Sequence, residues 1–366
     1  MIPVCEPTIG EEELRNVTDC IKTNWISSKG KYIEEFENKF SKYCGVKHGI
    51  TTSNGTTALH LAVSSLGIGK DDEVIMPTFT MIATAFAVTY TGAKPVFVDS
   101  EPETWNINVE KIEEKITKKT KAIMPVHIYG HPCNMDPIRN IAEDHNLYVI
   151  EDAAEAHGAE YKDKKTGSLS DIACFSFYAN KIITTGEGGM VVTDDDEIAE
   201  KVRELKDLAH SRKKRFLHEN VGFNYRMTNI QAAIGVAQME KIDKFVEARR
   251  NNAKLYNSIL KDIDGITLPP EKPWAKNVYW MYSIVIDKKK FGMNRDELMD
   301  KLKEKGIDTR TFFVPMHRQP VYFGTSKDNF PVSEYLSGNG LYLPSSSKLT
   351  KEEIREVCDA ISSLRK

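Results

Sequence analysis

Ala173-Cys174-Phe175-Ser176-Phe177-Tyr178-Ala179-Asn180-Lys181-Ile182-Ile183-Thr184-Thr185-Gly186-Glu187-Gly188-Gly189-Met190-Val191-Val192-Thr193 holds two short apolar runs on either side of a glycine-rich turn that carries one lysine. Residues 173–177 and 190–193 read as strands covered on both faces, because their apolar residues do not alternate with polar ones. Upstream, similar runs recur at residues 147–150, 122–126, 95–98, 73–76 and 49–52, with helix-like stretches between them. That alternation, from about residue 46 to 193, predicts an α/β fold: a mostly parallel seven-stranded sheet joined by crossover helices on both faces.

Downstream of Asn224 the period changes. Ile230, Ile234, Ala237, Ile242 and Phe245 fall at three- and four-residue spacings behind Thr228-Asn229-Ile230-Gln231, a capping-box candidate. A long helix leading out of the sheet is expected there. The C-terminal stretch reads as a strand at 282–286, a helix at 295–305, a strand at 309–313 and a final helix from Lys351. The expected division is a large α/β domain with the N-terminal segment, residues 1–245, and a smaller C-terminal α+β domain, residues 246–366.

A chain of 366 residues with 40% hydrophobic and 28% charged residues can bury a two-domain core. Its formal net charge of -3 gives no electrostatic ground for binding nucleic acid or an anionic membrane, so a small molecule is the expected partner. The six cysteines contain no C-x-x-C pair, which argues against a zinc knuckle and a disulfide framework. The opening residues lack the basic patch and apolar run of a signal peptide, and the apolar stretch 79–88 is far short of a membrane span, so the cytoplasm is expected. His127 and His131 have metal-like spacing, but Tyr129-Gly130 and Pro132 break any helix that would align them. No metal site is expected.

In such sheets ligands collect beyond the carboxyl ends of the strands. Three segments there carry chemistry. Thr52-Ser53-Asn54-Gly55-Thr56-Thr57 passes from strand to helix, where free N–H groups favour a phosphate and Gly55 permits close approach; an ordinary turn capped by Ser53 or Asn54 suits the same residues. Glu151-Asp152-Ala153-Ala154-Glu155-Ala156-His157-Gly158 sets a carboxylate, Asp152, at a strand end, where it needs a cation or donors unless it merely caps the next helix. Lys181 follows an apolar strand, where desolvation lowers an amine's pKa toward the range in which it attacks a carbonyl; snorkelling to the sheet rim is the alternative. Together these offer a phosphate cradle, an anionic partner and a nucleophilic amine, the set that pyridoxal phosphate requires. Neither G-x-G-x-x-G after a strand nor G-x-x-x-x-G-K-[ST] occurs, so nicotinamide and P-loop readings lack their motifs.

With these segments, Trp25-Ile26-Ser27-Ser28-Lys29-Gly30, His127-Ile128-Tyr129-Gly130-His131-Pro132 and Asn224-Tyr225-Arg226-Met227-Thr228-Asn229 make the chain resemble, over almost its whole length, the DegT/DnrJ/EryC1/StrS sugar aminotransferases of pyridoxal-phosphate fold type I. The resemblance implies that Lys181 is the Schiff-base lysine and proton shuttle, and that Asp152 pairs with the pyridinium nitrogen. Glu155 would contact the ring's hydroxyl side, where many relatives have glutamine. Gly55, Thr56 and Ser176 would hold the phosphate, and Asn224 would reach the phosphate in the neighbouring subunit, which implies a homodimer with shared active sites. Met81 stands where relatives commonly place an aromatic ring over the cofactor. Ser27, His157, Arg226 and His317 would face the substrate.

The implied reaction gives a nucleotide-linked 4-keto-6-deoxy sugar, GDP-4-keto-6-deoxymannose, its 4-amino group from glutamate, in surface-polysaccharide sugar biosynthesis. Related dehydratases replace the lysine with histidine, and Lys181 argues against that activity. Another keto acceptor, such as a 3-keto nucleotide sugar, an inosose or a small ketose phosphate, stays open because the motifs read cofactor rather than substrate. A non-catalytic, cofactor-binding regulator is the alternative of another class.

Overall fold

The computed structural model describes residues 1–211, 214, 216–326 and 328–365. Its large sheet has seven strands, in spatial order His48–Thr52, Gly189–Thr193, Ile172–Ser176, Tyr148–Asp152, Thr120–Ile123, Glu73–Pro77 and Lys94–Val98. From Ile172–Ser176 to Lys94–Val98 every pairing is parallel, whereas Gly189–Thr193 runs antiparallel to both its neighbours. The link from Ser176 to Gly189 contains no helix, and without a crossover the chain reverses direction. Both strands around that link are buried at every position, which accounts for their unbroken apolar pattern.

Register then assembles an edge. Thr52 and Ser176 both pair with Gly189, and Asp152 pairs with Cys174. Three strands therefore end side by side on one rim of the sheet, each delivering its next few residues to the same place. The strand expected at 122–126 is Thr120–Ile123, because Pro125 has no N–H to continue the ladder. Pro125 still serves through its carbonyl, which accepts from Asp152 N–H at 2.9 Å.

The long helix expected after Asn224 is two helices, Asn229–Met239 and Ile242–Leu260. Its start is as expected, with Thr228 Oγ1 accepting from Gln231 N–H at 3.3 Å and Gln231 Oε1 accepting from Thr228 N–H at 2.9 Å. Its break lies where Gln238 and Lys241 both reach across to the buried Glu13 of helix Glu11–Thr23. Helix Asn229–Met239 lies close on helix Lys31–Cys44 because Gly235 has no side chain: a Cβ there would come within 2.8 Å of the Phe36 ring.

In the C-terminal part, strand Tyr282–Ile286 and helices Arg295–Glu304 and Lys351–Leu364 form where the sequence indicates. The strand expected at 309–313 shortens to Arg310–Thr311, and Gly340–Leu343, not expected, pairs between it and Tyr282–Ile286. With Ile266–Thr267 these make a four-stranded sheet. We propose the division into residues 1–245 and 246–366: Phe245 and Val246 close the core beneath the large sheet, while the rest of helix Ile242–Leu260 packs on Lys351–Leu364. The N-terminal segment crosses that division, since Ile2 bridges to Ile307 and Ser345 N–H donates to Val4 O at 2.8 Å. Among the described residues no helix is long and apolar enough to cross a membrane.

Candidate active site

A cavity of about 680 Å³ opens at the rim where the three strands end. Gly55, Thr56, Met81, Asp152, Glu155, Ser176 and Lys181 all line it, so the three segments singled out in the sequence do meet. Asn54 caps helix Gly55–Ser65 through its Oδ1, which accepts from Thr57 N–H at 2.9 Å. That cap leaves the first turn of the helix facing the cavity, so the turn is both an ordinary helix start and an anion cradle. The cradle tolerates no side chain at Gly55, whose Cβ would stand 2.8 Å from that of Ser176.

Beside the cradle lie two buried carboxylates and one amine. Asp152 accepts from Thr84 Oγ1 at 2.7 Å and from Ala154 N–H at 3.2 Å, yet burial still raises its pKa. Glu155 accepts at 2.7 Å from the N–H of Tyr129, a residue held at the unusual φ of 54°, and burial raises its pKa as well. Burial lowers the pKa of Lys181, against the pull of Glu155 and Asp152 toward the charged form. Such a pair of acids calls for a cation, and such an amine for an electrophile. Pyridoxal phosphate fits this set: Asp152 would meet its ring nitrogen, Lys181 its aldehyde, and the helix start beside Gly55 and Ser176 its phosphate.

The remaining expected site residues lie elsewhere. His157 is a correction: it is 0% exposed, its ring packs among Phe40, Phe175 and Phe177, and it does not line the cavity. Burial drives its pKa down to about 3, so it is a neutral core residue and not a substrate contact in this chain. His317 also stays outside the cavity; its ring stacks on Phe330, with Nδ1 2.8 Å from Thr78 Oγ1 and Nε2 3.1 Å from Glu334 Oε1. Ser27 and Asn224 are exposed and lie apart from the cavity lining. Arg226 donates to Asn224 Oδ1 at 2.7 and 3.1 Å and to Asp207 at 2.6 Å, which fixes the exposed amide in place. Of the two histidines with metal-like spacing, His127 bonds Glu151 and His131 Nε2 accepts from Lys272 N–H at 3.2 Å.

Several lining residues were not singled out in the sequence. Thr84 arrives on helix Ile82–Tyr90, and Trp280 and Phe313 arrive from the C-terminal part. Thr84 follows Met81 by three residues, so its place at a helix start was available as a signal. Trp280 borders a strand of the other sheet and gives no local sign of facing this one.

The sequence pattern of the DegT/DnrJ/EryC1/StrS aminotransferase family matches residues 7–362, and the chain belongs to that family. It is accordingly an aminotransferase of pyridoxal-phosphate fold type I, and pyridoxal phosphate is its cofactor. It is 48% identical to the GDP-perosamine synthase of Caulobacter vibrioides over 98% of this chain and 97% of that one. The GDP-perosamine synthase of Escherichia coli O157:H7 is 45% identical over 99% and 98% of the two chains. Among solved structures, S. venezuelae DesV in complex with a ketimine intermediate superposes with a TM-score of 0.91 at 36% identity, covering 96% of this chain and 94% of that one.

Proposed function

We propose that this aminotransferase transfers the amino group of glutamate to C4 of GDP-4-keto-6-deoxymannose, yielding GDP-perosamine for surface-polysaccharide synthesis. The observation that carries the choice of sugar is the 48% identity, across nearly both whole chains, to a GDP-perosamine synthase. Glutamate leaves as 2-oxoglutarate and the sugar ketone becomes a primary amine, so the exchange balances without an external oxidant or reductant.

Bound pyridoxal phosphate supplies an aldehyde for exchange of amines and a protonated ring that stores an electron pair while the amino group is in transit. The residues of this chain do the rest. Asp152, held by Thr84, would keep the ring nitrogen protonated as its anionic partner; burial would make that pairing strong because little water competes. Glu155 would orient the hydroxyl side of the ring, Gly55, Thr56 and Ser176 would receive the phosphate, and Met81 would cover the ring through its polarizable thioether. Lys181 would anchor the cofactor and, when free, would take a proton on Nζ from Cα of glutamate in one half of the transfer and give one to C4 of the sugar in the other. A lowered amine pKa suits both directions of that transfer.

We infer a homodimer in which Asn224 completes the phosphate site of the neighbouring subunit, with Ser27 and Arg226 facing that subunit's substrate. Exposure of Ser27 and Asn224, outside their own cavity, supports it. The cytoplasm is the inferred compartment, in keeping with six free cysteines.

The test is a panel of nucleotide keto sugars offered with glutamate, read by product mass and by 2-oxoglutarate release. GDP-4-keto-6-deoxymannose is expected to be aminated with the highest kcat/KM. Preference for a 3-keto sugar, an inosose or a ketose phosphate overturns the substrate assignment.

A further inference from the structure

Lys181 Nζ lies 3.6 Å from the centroid of the Trp280 ring. Trp280 is 4% exposed and pinned on several sides. Its Nε1–H donates to Asn180 O at 2.9 Å, its backbone N–H donates to Tyr129 O at 3.0 Å, and its carbonyl accepts from Arg249 at 2.6 Å. Asn180 directly precedes Lys181, so the indole is tied to the backbone of the lysine whose amine it faces. Tyr129 also donates to Glu155, so the same framework positions the carboxylate across the cavity.

We propose that Trp280 is a positioning residue: its indole face receives the amine of Lys181 whenever that amine is not bonded to the cofactor. The inference rests on the assignment of Lys181 as the cofactor lysine. In each half of an amino transfer the lysine is released, and a four-carbon side chain without a partner spreads over many rotamers. An aromatic face gathers them, because a cation within about 6 Å of the ring centroid is attracted, most strongly to indole and in a desolvated site. Trp280 thereby keeps Nζ inside the cavity, beside Glu155 and Asp152, during the interval in which it must move a proton.

The ring attracts an ammonium more than a neutral amine, so it favours protonated Lys181. Other groups act on the same amine: Glu155, Asp152 and Cys5 favour its charged form, while burial and Arg249 oppose it, and His157, neutral, lies nearby. Replacing the indole leaves all of these groups in place; Trp280→Phe keeps an aromatic face, Trp280→Leu does not, and both lose the Nε1–H bond to Asn180 O. The amine should then deprotonate at lower pH.

The experiment uses the full chain, freed of cofactor and mixed with pyridoxal phosphate, with the initial growth of the visible band followed across neutral and alkaline pH. The rate rises as Lys181 becomes a free amine. Trp280→Leu is expected to move the midpoint of that profile down by about half to one pH unit, with Trp280→Phe in between. A merely structural role predicts the opposite, because a loosened, wetter lysine moves up toward its ordinary value of about 10.4. Midpoints that coincide with wild type, or rise, overturn the role of Trp280. If Trp280→Leu does not fold, Trp280→Phe alone decides by the same criterion. A band that still forms in Lys181→Ala overturns the lysine assignment and this inference with it; loss of that band alongside coincident midpoints overturns only the role of Trp280.

Discussion

His127 Nε2 and Glu151 Oε2 lie 2.9 Å apart with both side chains fully buried, one residue behind Asp152. Cys133 N–H donates to His127 Nδ1 at 3.0 Å, so Nε2 carries the hydrogen and donates it to the carboxylate. Glu151 also accepts from Gly167 N–H at 2.9 Å, Leu169 N–H at 3.0 Å and Ser170 Oγ at 2.8 Å. It is thus the fixed anchor from which the chain turns to present Asp152.

Burial alone would raise the pKa of Glu151, but the His127 bond and the other donors outweigh it and hold the group below its ordinary value. A carboxyl depressed in the folded state contributes stability that is present above its unfolded value, about 4.3, and is lost as pH falls through the folded one. His127→Phe is expected to lose about 1.5–3 kcal/mol at neutral pH, the scale of a hydrogen bond to a charged group. Urea unfolding should show that loss narrowing in acid; a loss independent of pH contradicts the pairing.

Asp152→Asn should still bind cofactor, because the cradle at Gly55 and Ser176 is untouched, but a neutral amide cannot hold the ring nitrogen protonated. Glutamate-driven conversion of the bound cofactor, followed in a stopped-flow spectrophotometer, should slow by about 100-fold or more, as for other lost electrostatic partners of a reacting group. A near-normal rate removes Asp152 from that role.

The sequence indicated the strands and the rim more clearly than the site's far wall. Runs such as Ile172–Ser176 are buried on both faces, so their apolar pattern is continuous and hard to mistake. Asp152 and Lys181 drew notice because charge is expensive beside such runs. The reversal of Gly189–Thr193 was hidden because a buried strand has the same composition in either direction. Trp280 and Phe313 were hidden for another reason: they reach the cavity through packing of the C-terminal part on the sheet, a tertiary fact with no local period. His157 was expected at the substrate from the resemblance alone, and nothing in its own segment shows that Phe40, Phe175 and Phe177 enclose it in the core.

The proposed shared site makes a prediction that a single-chain site does not. Lys181→Ala protein should be inactive and Asn224→Ala protein strongly impaired, the latter through loss of a charge-assisted phosphate contact worth about 1.5–3 kcal/mol, or roughly 10- to 150-fold. Mixed and reassembled, they form heterodimers in which one site carries both lesions and the other carries neither. Partial activity should return. Heterodimers confirmed by mass and no more active than either parent contradict a site built from two subunits.

The proposed chemistry depends on the amine at the rim of the sheet being the one that captures the cofactor. Reducing the pyridoxal-phosphate-loaded protein with borohydride and mapping its peptides by mass measures this directly. The cofactor is expected on Lys181 alone, with Lys181→Ala folded, unlabelled and inactive. A label on a different lysine, or steady turnover by Lys181→Ala, contradicts the assignment.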